Sequence, residues 1–210
     1  MSGENRDIIF IAGIGTDVGK TVISAIFTEA LKADYWKPIQ AGNLGHTDTD
    51  LVKSLVSNSV SKFHSETYKL KMPASPHKSA EAEGILINPE NFILPETSNS
   101  LIIEGAGGLM VPLAHNYLML DLIRKLEVEV ILVSMNYLGS INHTLLSVEA
   151  LKNRNIRIRG IVFDGDKDES TENFILDYTE RPCILRISKE EKITKEIVKK
   201  YSEILVSTFI

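Results

Sequence analysis

Gly13-Ile14-Gly15-Thr16-Asp17-Val18-Gly19-Lys20-Thr21 follows the apolar run Ile8–Ala12 and opens a helical pattern, Val22–Leu31, with Ile23, Ile26, Phe27 and Leu31 on one side. A glycine-rich turn between a buried strand and an amphipathic helix is the setting of a phosphate-binding loop. Glycines let the backbone come close to anionic oxygens. Successive N–H groups form a nest for them, and the helix N-terminus adds partial positive charge. On this reading Gly15, Thr16, Asp17, Val18, Gly19, Lys20, Thr21 and Val22 surround a nucleoside triphosphate. The Lys20 ammonium reaches the β- and γ-phosphates, and the Thr21 hydroxyl ligates magnesium. The loop is a variant. The common spacing G-x-x-x-x-G-K-[ST] asks for glycine at position 14, where this chain has Ile14 between Gly13 and Gly15.

Outward from the loop, short apolar runs alternate with helical stretches. Leu101–Ile103, Val128–Val133, Arg159–Phe163 and Pro182–Ile187 read as strands, and Asp34–Trp36 as a further short one. Ile141–Leu151 reads as a helix, and the charge-rich Lys189–Tyr201 as a surface helix with Ile193, Ile197, Val198 and Tyr201 on one face. Continuous β-branched runs suit a parallel sheet covered on both sides, and strands alternating with helices suit βαβ units. The expected fold is α/β: one domain over residues 1–210, with an open, mostly parallel sheet and helices on both faces. Pro73, Pro76, Pro89 and Pro95 make a long helix between Ser57 and Glu96 unfavourable.

The net charge of −5 argues against nucleic acid as the main partner, because binding a phosphate backbone needs a basic face. A single cysteine, Cys183, allows no intramolecular disulfide. Apolar runs are too short for a signal-peptide core or a membrane span. The expectation is a cytoplasmic protein with no membrane partner.

Two features supply carboxylates for magnesium, which binds hard oxygen ligands and often needs only one or two carboxylates beside substrate phosphates. Glu104 ends the run Leu101–Ile103 and precedes Gly105-Ala106-Gly107-Gly108, at the strand end where open α/β sheets place ligands. Asp50 sits in His46-Thr47-Asp48-Thr49-Asp50 ahead of the helical pattern Leu51–Val56. By spacing alone, Asp48 and Asp50 suit helix capping equally well. Lys37 follows Asp34–Trp36 and precedes Pro38, which suits either a phosphate-facing lysine or a solvated one.

Taken together, these segments resemble dethiobiotin synthetase from Ile8 to Asp166. The phosphate loop is similar to that family's G-T-D-T-x-V-G-K-T. Lys37-Pro38-Ile39-Gln40-Ala41-Gly42 looks like K-P-V-x-S-G, with Ala41 where serine is usual. Thr49-Asp50 matches T/S-D, and Ser75-Pro76-His77 matches S-P-H. Ile103–Gly108 with Val111-Pro112-Leu113 matches V-E-G-A-G-G…x-P-L. Leu138–Leu146 resembles L-G-x-I-N-H-x-L-L.

The resemblance implies a homodimeric, ATP- and magnesium-dependent ligase of biotin biosynthesis. It would act on 7,8-diaminononanoate and carbon dioxide or bicarbonate. One amine captures carbon dioxide as a carbamate, the carbamate attacks the γ-phosphate, and the second amine closes the ring. Lys37, Lys20 and Thr16 are the implied catalytic residues. Thr21, Asp50 and Glu104 would hold the metal, and Gly105, Ala106 and Gly107 would border the phosphates. Thr16, Lys37, Ala41, Pro76 and Gly107 would contact substrate. Gly139, Ser140, Ile141 and Asn142 would begin a helix at the dimer interface and hold the substrate's carboxylate tail from the other subunit. His77 and His143 are read as structural.

The chain departs from the family where the base is read. An asparagine is usual in G-x-V-x-N-D; here Gly160–Asp166 places Asp164 and Gly165 there. An asparagine amide both donates and accepts, whereas an ionised aspartate only accepts. Leu185-Arg186-Ile187-Ser188 also lacks a usual proline. Weak discrimination among nucleoside triphosphates is therefore expected. Two alternatives stand beside the ligase. A partitioning-type ATPase switch would carry an extra lysine early in the loop, where this chain has Ile14 and Gly15. Another small amidoligase would normally need a glutamine-cleaving domain.

Overall fold

The computed structural model describes residues 6–209; positions 1–5 and 210 of the expected domain lie outside the described residues. In chain order the first half forms β1 (Ile8–Gly13), α1 (Lys20–Leu31), β2 (Asp34–Trp36), β3 (Ile39–Ala41), α2 (Asp48–Leu55), β4 (Phe63–His64), β5 (Tyr68–Leu70) and α3 (Pro76–Ala82). The second half forms β6 (Leu101–Gly108), β7 (Pro112–Ala114), β8 (Tyr117–Leu118), α4 (Met119–Leu126), β9 (Glu129–Met135), α5 (Ser140–Lys152), β10 (Ile158–Asp164), α6 (Glu169–Thr179), β11 (Cys183–Ile187) and α7 (Lys195–Phe209).

The strand β1 is apolar on both sides, so it can only lie inside a covered sheet. Its side chains alternate: Ile9 and Ile11 enter one core, Phe10 and Ala12 the other. It is flanked by β6 and β9, both parallel to it. The seven-stranded sheet has the order β11-β10-β9-β1-β6-β2-β4, and every pairing in it is parallel. Residues of α1, α2 and α7 fill the core on one face, and residues of α3, α4 and α5 that on the other. Ile175 of α6 joins the latter side against Ile161 and Phe163.

This order fixes where a ligand sits. From β1 the chain crosses through α1 to β2 on one side, while β6 is followed through α4 by β9 on the other. The loop after β1 therefore opens at a switch point, where the chain diverges and leaves a crevice beyond the strand ends.

Two boundaries differ from the sequence expectation. The last helix starts at Lys195 and continues to Phe209, and Val198, Tyr201 and Leu205 are buried in the core beneath α1. It is a full layer of the fold rather than a surface helix ending at Tyr201. The β7–β8 hairpin and α4 were not expected from the pattern at all. The proline-bearing stretch from Ser57 to Glu96 holds only β4, β5, α3 and a one-turn 3-10 helix at Pro89–Asn91. Among the described residues no helix is long and apolar enough to cross a membrane.

Candidate active site

The centre of the site follows from strand alternation. In the parallel register Tyr35 lies beside Ile102, and Trp36 beside Ile103. Tyr35 and Lys37 therefore project to the same face as Ile102 and Glu104. The N-terminal turn of α1 covers that face and brings Thr21 down onto it. Glu104, 1% exposed, accepts a hydrogen bond at Oε1 from Thr21 Oγ1 at 2.9 Å and another from Lys37 Nζ at 2.9 Å. The Tyr35 hydroxyl donates to its Oε2 at 2.8 Å. Lys37 Nζ also pairs with Asp48 Oδ2 at 2.7 Å. Burial alone would depress the Lys37 pKa, but the carboxylates of Glu104 and Asp48 outweigh it and hold the value above the ordinary one.

The phosphate loop is drawn tight around Lys20, whose Nζ donates to the Gly15 carbonyl at 2.7 Å. Burial lowers the Lys20 pKa to about 8; Glu104 pulls it up and Lys37 pushes it down. Two glycines are required by space and conformation. A Cβ at Gly13 would lie 2.7 Å from Val18 Cγ2. At Gly19, where φ is +88°, it would lie 2.2 Å from Asp164 Oδ2. Asp164, at the end of β10, is thus packed against the loop. Burial holds its carboxyl above the usual carboxylate range, against the Gly165 N–H and Arg186, which act to lower it.

A cavity of about 700 Å³ gathers most of the expected residues. Thr16, Asp17, Val18, Gly19, Lys20, Thr21 and Val22 form one wall, and Lys37, Glu104, Gly105, Ala106 and Gly107 the floor. Ala41 and Pro76 lie on the opposite wall with Gln40, Asn43, Pro73, Ala74 and Ser75. Gly15 and Thr16 border a second, adjoining cavity of about 470 Å³ with Met110, Val111, His143 and Leu146. Gly139, Ser140, Ile141 and Asn142 begin α5 as expected, but none of them lines either cavity of the same chain. Gly165 and Asp164 lie at the loop's rim rather than in the cavity lining.

One assignment changes. The T-D match points to Asp50 as the second carboxylate, but Asp50 is turned away. Its Oδ2 accepts from the Thr47 N–H and Thr47 Oγ1, both at 2.9 Å, while Thr47 accepts from the Asp50 N–H. Asp50 is the third helical residue of a capping box. Asp48, at the first helical position, faces the cavity and meets Lys37 instead. Thr47-Asp48 is the same dipeptide as Thr49-Asp50, two residues earlier, so the T-D signal fits both. Helix phase decides between them. Tyr35 is a second residue the motifs did not single out; alternation with Lys37 was the available clue.

The oxygen set Thr21, Glu104 and Asp48 suits magnesium chemically. All three are hard donors on one cavity, and there is no histidine or cysteine among them. Among the described residues no group of three or more His, Cys, Asp or Glu side chains forms a metal cage.

Comparisons with known proteins bear on the chemistry. A family model described as an AAA domain matches residues 7–197. The chain is 54% identical to the ATP-dependent dethiobiotin synthetase BioD of Christiangramia forsetii, over 92% of this chain and 93% of that one. It is 52% identical to the enzyme of the same name from Cytophaga hutchinsonii, over 92% and 94%. The fold also resembles a ParA family ATPase from Chlorobium tepidum, with a TM-score of 0.60 over 97% of this chain and 98% of that one. At 16% identity this likeness shows the fold alone. With the site geometry and these identities in hand, the chain belongs to the family of ATP-dependent dethiobiotin synthetases, ligases of biotin biosynthesis.

Proposed function

We propose that this protein closes the ureido ring of dethiobiotin from 7,8-diaminononanoate, carbon dioxide and ATP, releasing ADP and phosphate. The observation that carries this reading is Lys37. A cation buried between two carboxylates, in the cavity that the phosphate loop opens into, stands where an anionic substrate must approach an anionic triphosphate.

One substrate amine adds to carbon dioxide and loses a proton, giving a carbamate. The carbamate oxygen attacks the γ-phosphorus, and the bond to the β-bridging oxygen breaks to leave ADP. The second amine then attacks the carbonyl of the resulting carbamic–phosphoric anhydride, and phosphate departs with closure of the ring. Such transfer depends on alignment and charge neutralisation more than on covalent help. Lys20 and Lys37 bring positive charge to the two anions. Thr16, exposed at the junction of both cavities, supplies a hydroxyl for the carbamate or the anhydride. Thr21, Glu104 and Asp48 would hold magnesium, which when bound neutralises charge developing on the phosphates. Ala41, Pro76 and Gly107 offer a small, mostly apolar wall for the carbon chain.

The protein acts as a homodimer in this account. Gly139–Asn142 line neither cavity of their own chain; the Ser140 N–H is bonded to the Tyr137 carbonyl, which leaves the N–H groups of Ile141 and Asn142 at the start of α5 to meet a carboxylate reaching across from the other subunit's site. Base contacts fall to Asp164 and Gly165, so nucleotides other than ATP are accepted.

Magnesium-dependent phosphate release, measured with and without diaminononanoate and bicarbonate, tests the reading. Release that requires both supports it. Release indifferent to both marks a switch ATPase and contradicts it.

A further inference from the structure

The hydroxyl of Tyr35 is not needed for packing, since a phenylalanine would fill the same space. The side chain is fully buried, with its ring 6.2 Å from that of Phe63 and tilted by 48°. A buried hydroxyl is costly unless paired. Its partner here is one oxygen of one carboxylate, Glu104 Oε2. Among the described residues Tyr35 is the only hydrogen-bond donor to that oxygen, because Thr21 and Lys37 both use Oε1. The two carboxylate oxygens are thereby sorted: Oε2 is tied to the core, and Oε1 is turned to the phosphate loop. In this pair the phenol O–H donates and the carboxylate oxygen accepts, which fixes the direction of the bond.

We propose that Tyr35 is a positioning residue of the divalent-cation site, acting through Glu104 Oε2 to hold Oε1 toward Thr21 and the bound triphosphate. This rests on the reading of Glu104 as a ligand of the nucleotide-bound cation. Magnesium tolerates little departure from its preferred geometry, so a carboxylate free to rotate binds it poorly. Partners that orient a ligating carboxylate are commonly worth about tenfold or more in metal affinity.

The test is a Mn2+ titration followed by electron paramagnetic resonance. The samples are the full-length protein with a stoichiometric non-hydrolysable ATP analogue, the Tyr35→Phe and Glu104→Gln variants, and the double variant. Tyr35→Phe is expected to weaken Mn2+ binding about tenfold and to leave analogue binding without cation unchanged. It should add little in the Glu104→Gln background. Wild-type Mn2+ affinity in Tyr35→Phe, beside a weakened Glu104→Gln, overturns the role of Tyr35 and leaves Glu104 as a ligand. So does a fall in melting temperature with unchanged Mn2+ affinity, which marks the hydroxyl as structural only. Wild-type affinity in Glu104→Gln overturns both. If Tyr35→Phe does not fold, 3-fluorotyrosine at position 35 keeps the ring and sharpens the donor. A change in Mn2+ affinity of about twofold or more then supports the proposal, and no change overturns it.

Discussion

Asp48 and Asp50 are two residues apart on one helix and have separate tasks. Helix geometry points them about 200° apart, so only one can meet Lys37, and the other closes the capping box. Asp48→Ala should lower kcat/KM by about a hundredfold or more, whereas Asp50→Ala should leave it within about threefold and reduce only thermal stability. Steady-state kinetics beside melting curves of both variants check this; equal kinetic losses would contradict it. Lys20 gives a pH signature. Its pKa is lowered to about 8 by burial, and only the protonated form attracts the triphosphate. ATP affinity is therefore full below that value and should weaken about tenfold per pH unit above it. Isothermal titration between neutral and alkaline pH reads the slope, which Lys20→Met should remove. Asp164 sets the third expectation. Its carboxylate presses on Gly19 and lacks the donor that adenine N7 requires. Specificity constants for ATP, GTP, CTP and UTP should differ by less than about a hundredfold, and Asp164→Asn should raise the ATP preference by about tenfold. A hundredfold or greater ATP preference in the unaltered protein would contradict this.

At the scale of elements, α7 separates stability from chemistry. Leu205 is fully buried on a helix packed against α1 and lies outside the cavity lining. Leu205→Ala should cost about 2–5 kcal/mol of folding stability, measured by urea unfolding, with kcat of the folded fraction unchanged. A large kcat loss at full folding would instead tie α7 to the site. The same helix shows what was legible in the sequence. The strands β1, β6, β9 and β10 announce themselves as apolar runs, because burial on both faces leaves no polar positions. The phosphate loop announces itself through glycines that backbone approach demands. By contrast, α7 reads as a surface helix until α1 is known to cover it. The β7–β8 hairpin, with strands of three and two residues, is too short to show an alternation. Tyr35 looks like any strand aromatic until the register beside Ile102 places it under Glu104. These features depend on neighbours distant in sequence, which no local pattern encodes.

For the whole molecule, one parallel sheet with a single switch point brings the phosphate loop, Glu104 and Lys37 to the same edge. It also leaves Gly139–Asn142 outside the lining of both cavities of their own chain. A fold resembling that of a ParA family ATPase here opens a cavity in which Lys37 is paired with the carboxylates of Glu104 and Asp48. In the proposed reaction, triphosphate cleavage is coupled to joining a carbamate to a second amine. Incubation of the protein with ATP, magnesium, 7,8-diaminononanoate and 13C-bicarbonate, followed by mass spectrometry and ADP assay, tests it most directly. The expected product is a cyclic urea carrying one 13C atom and formed in step with ADP. ADP formation without labelled product, or at a rate indifferent to the diamine, would contradict it.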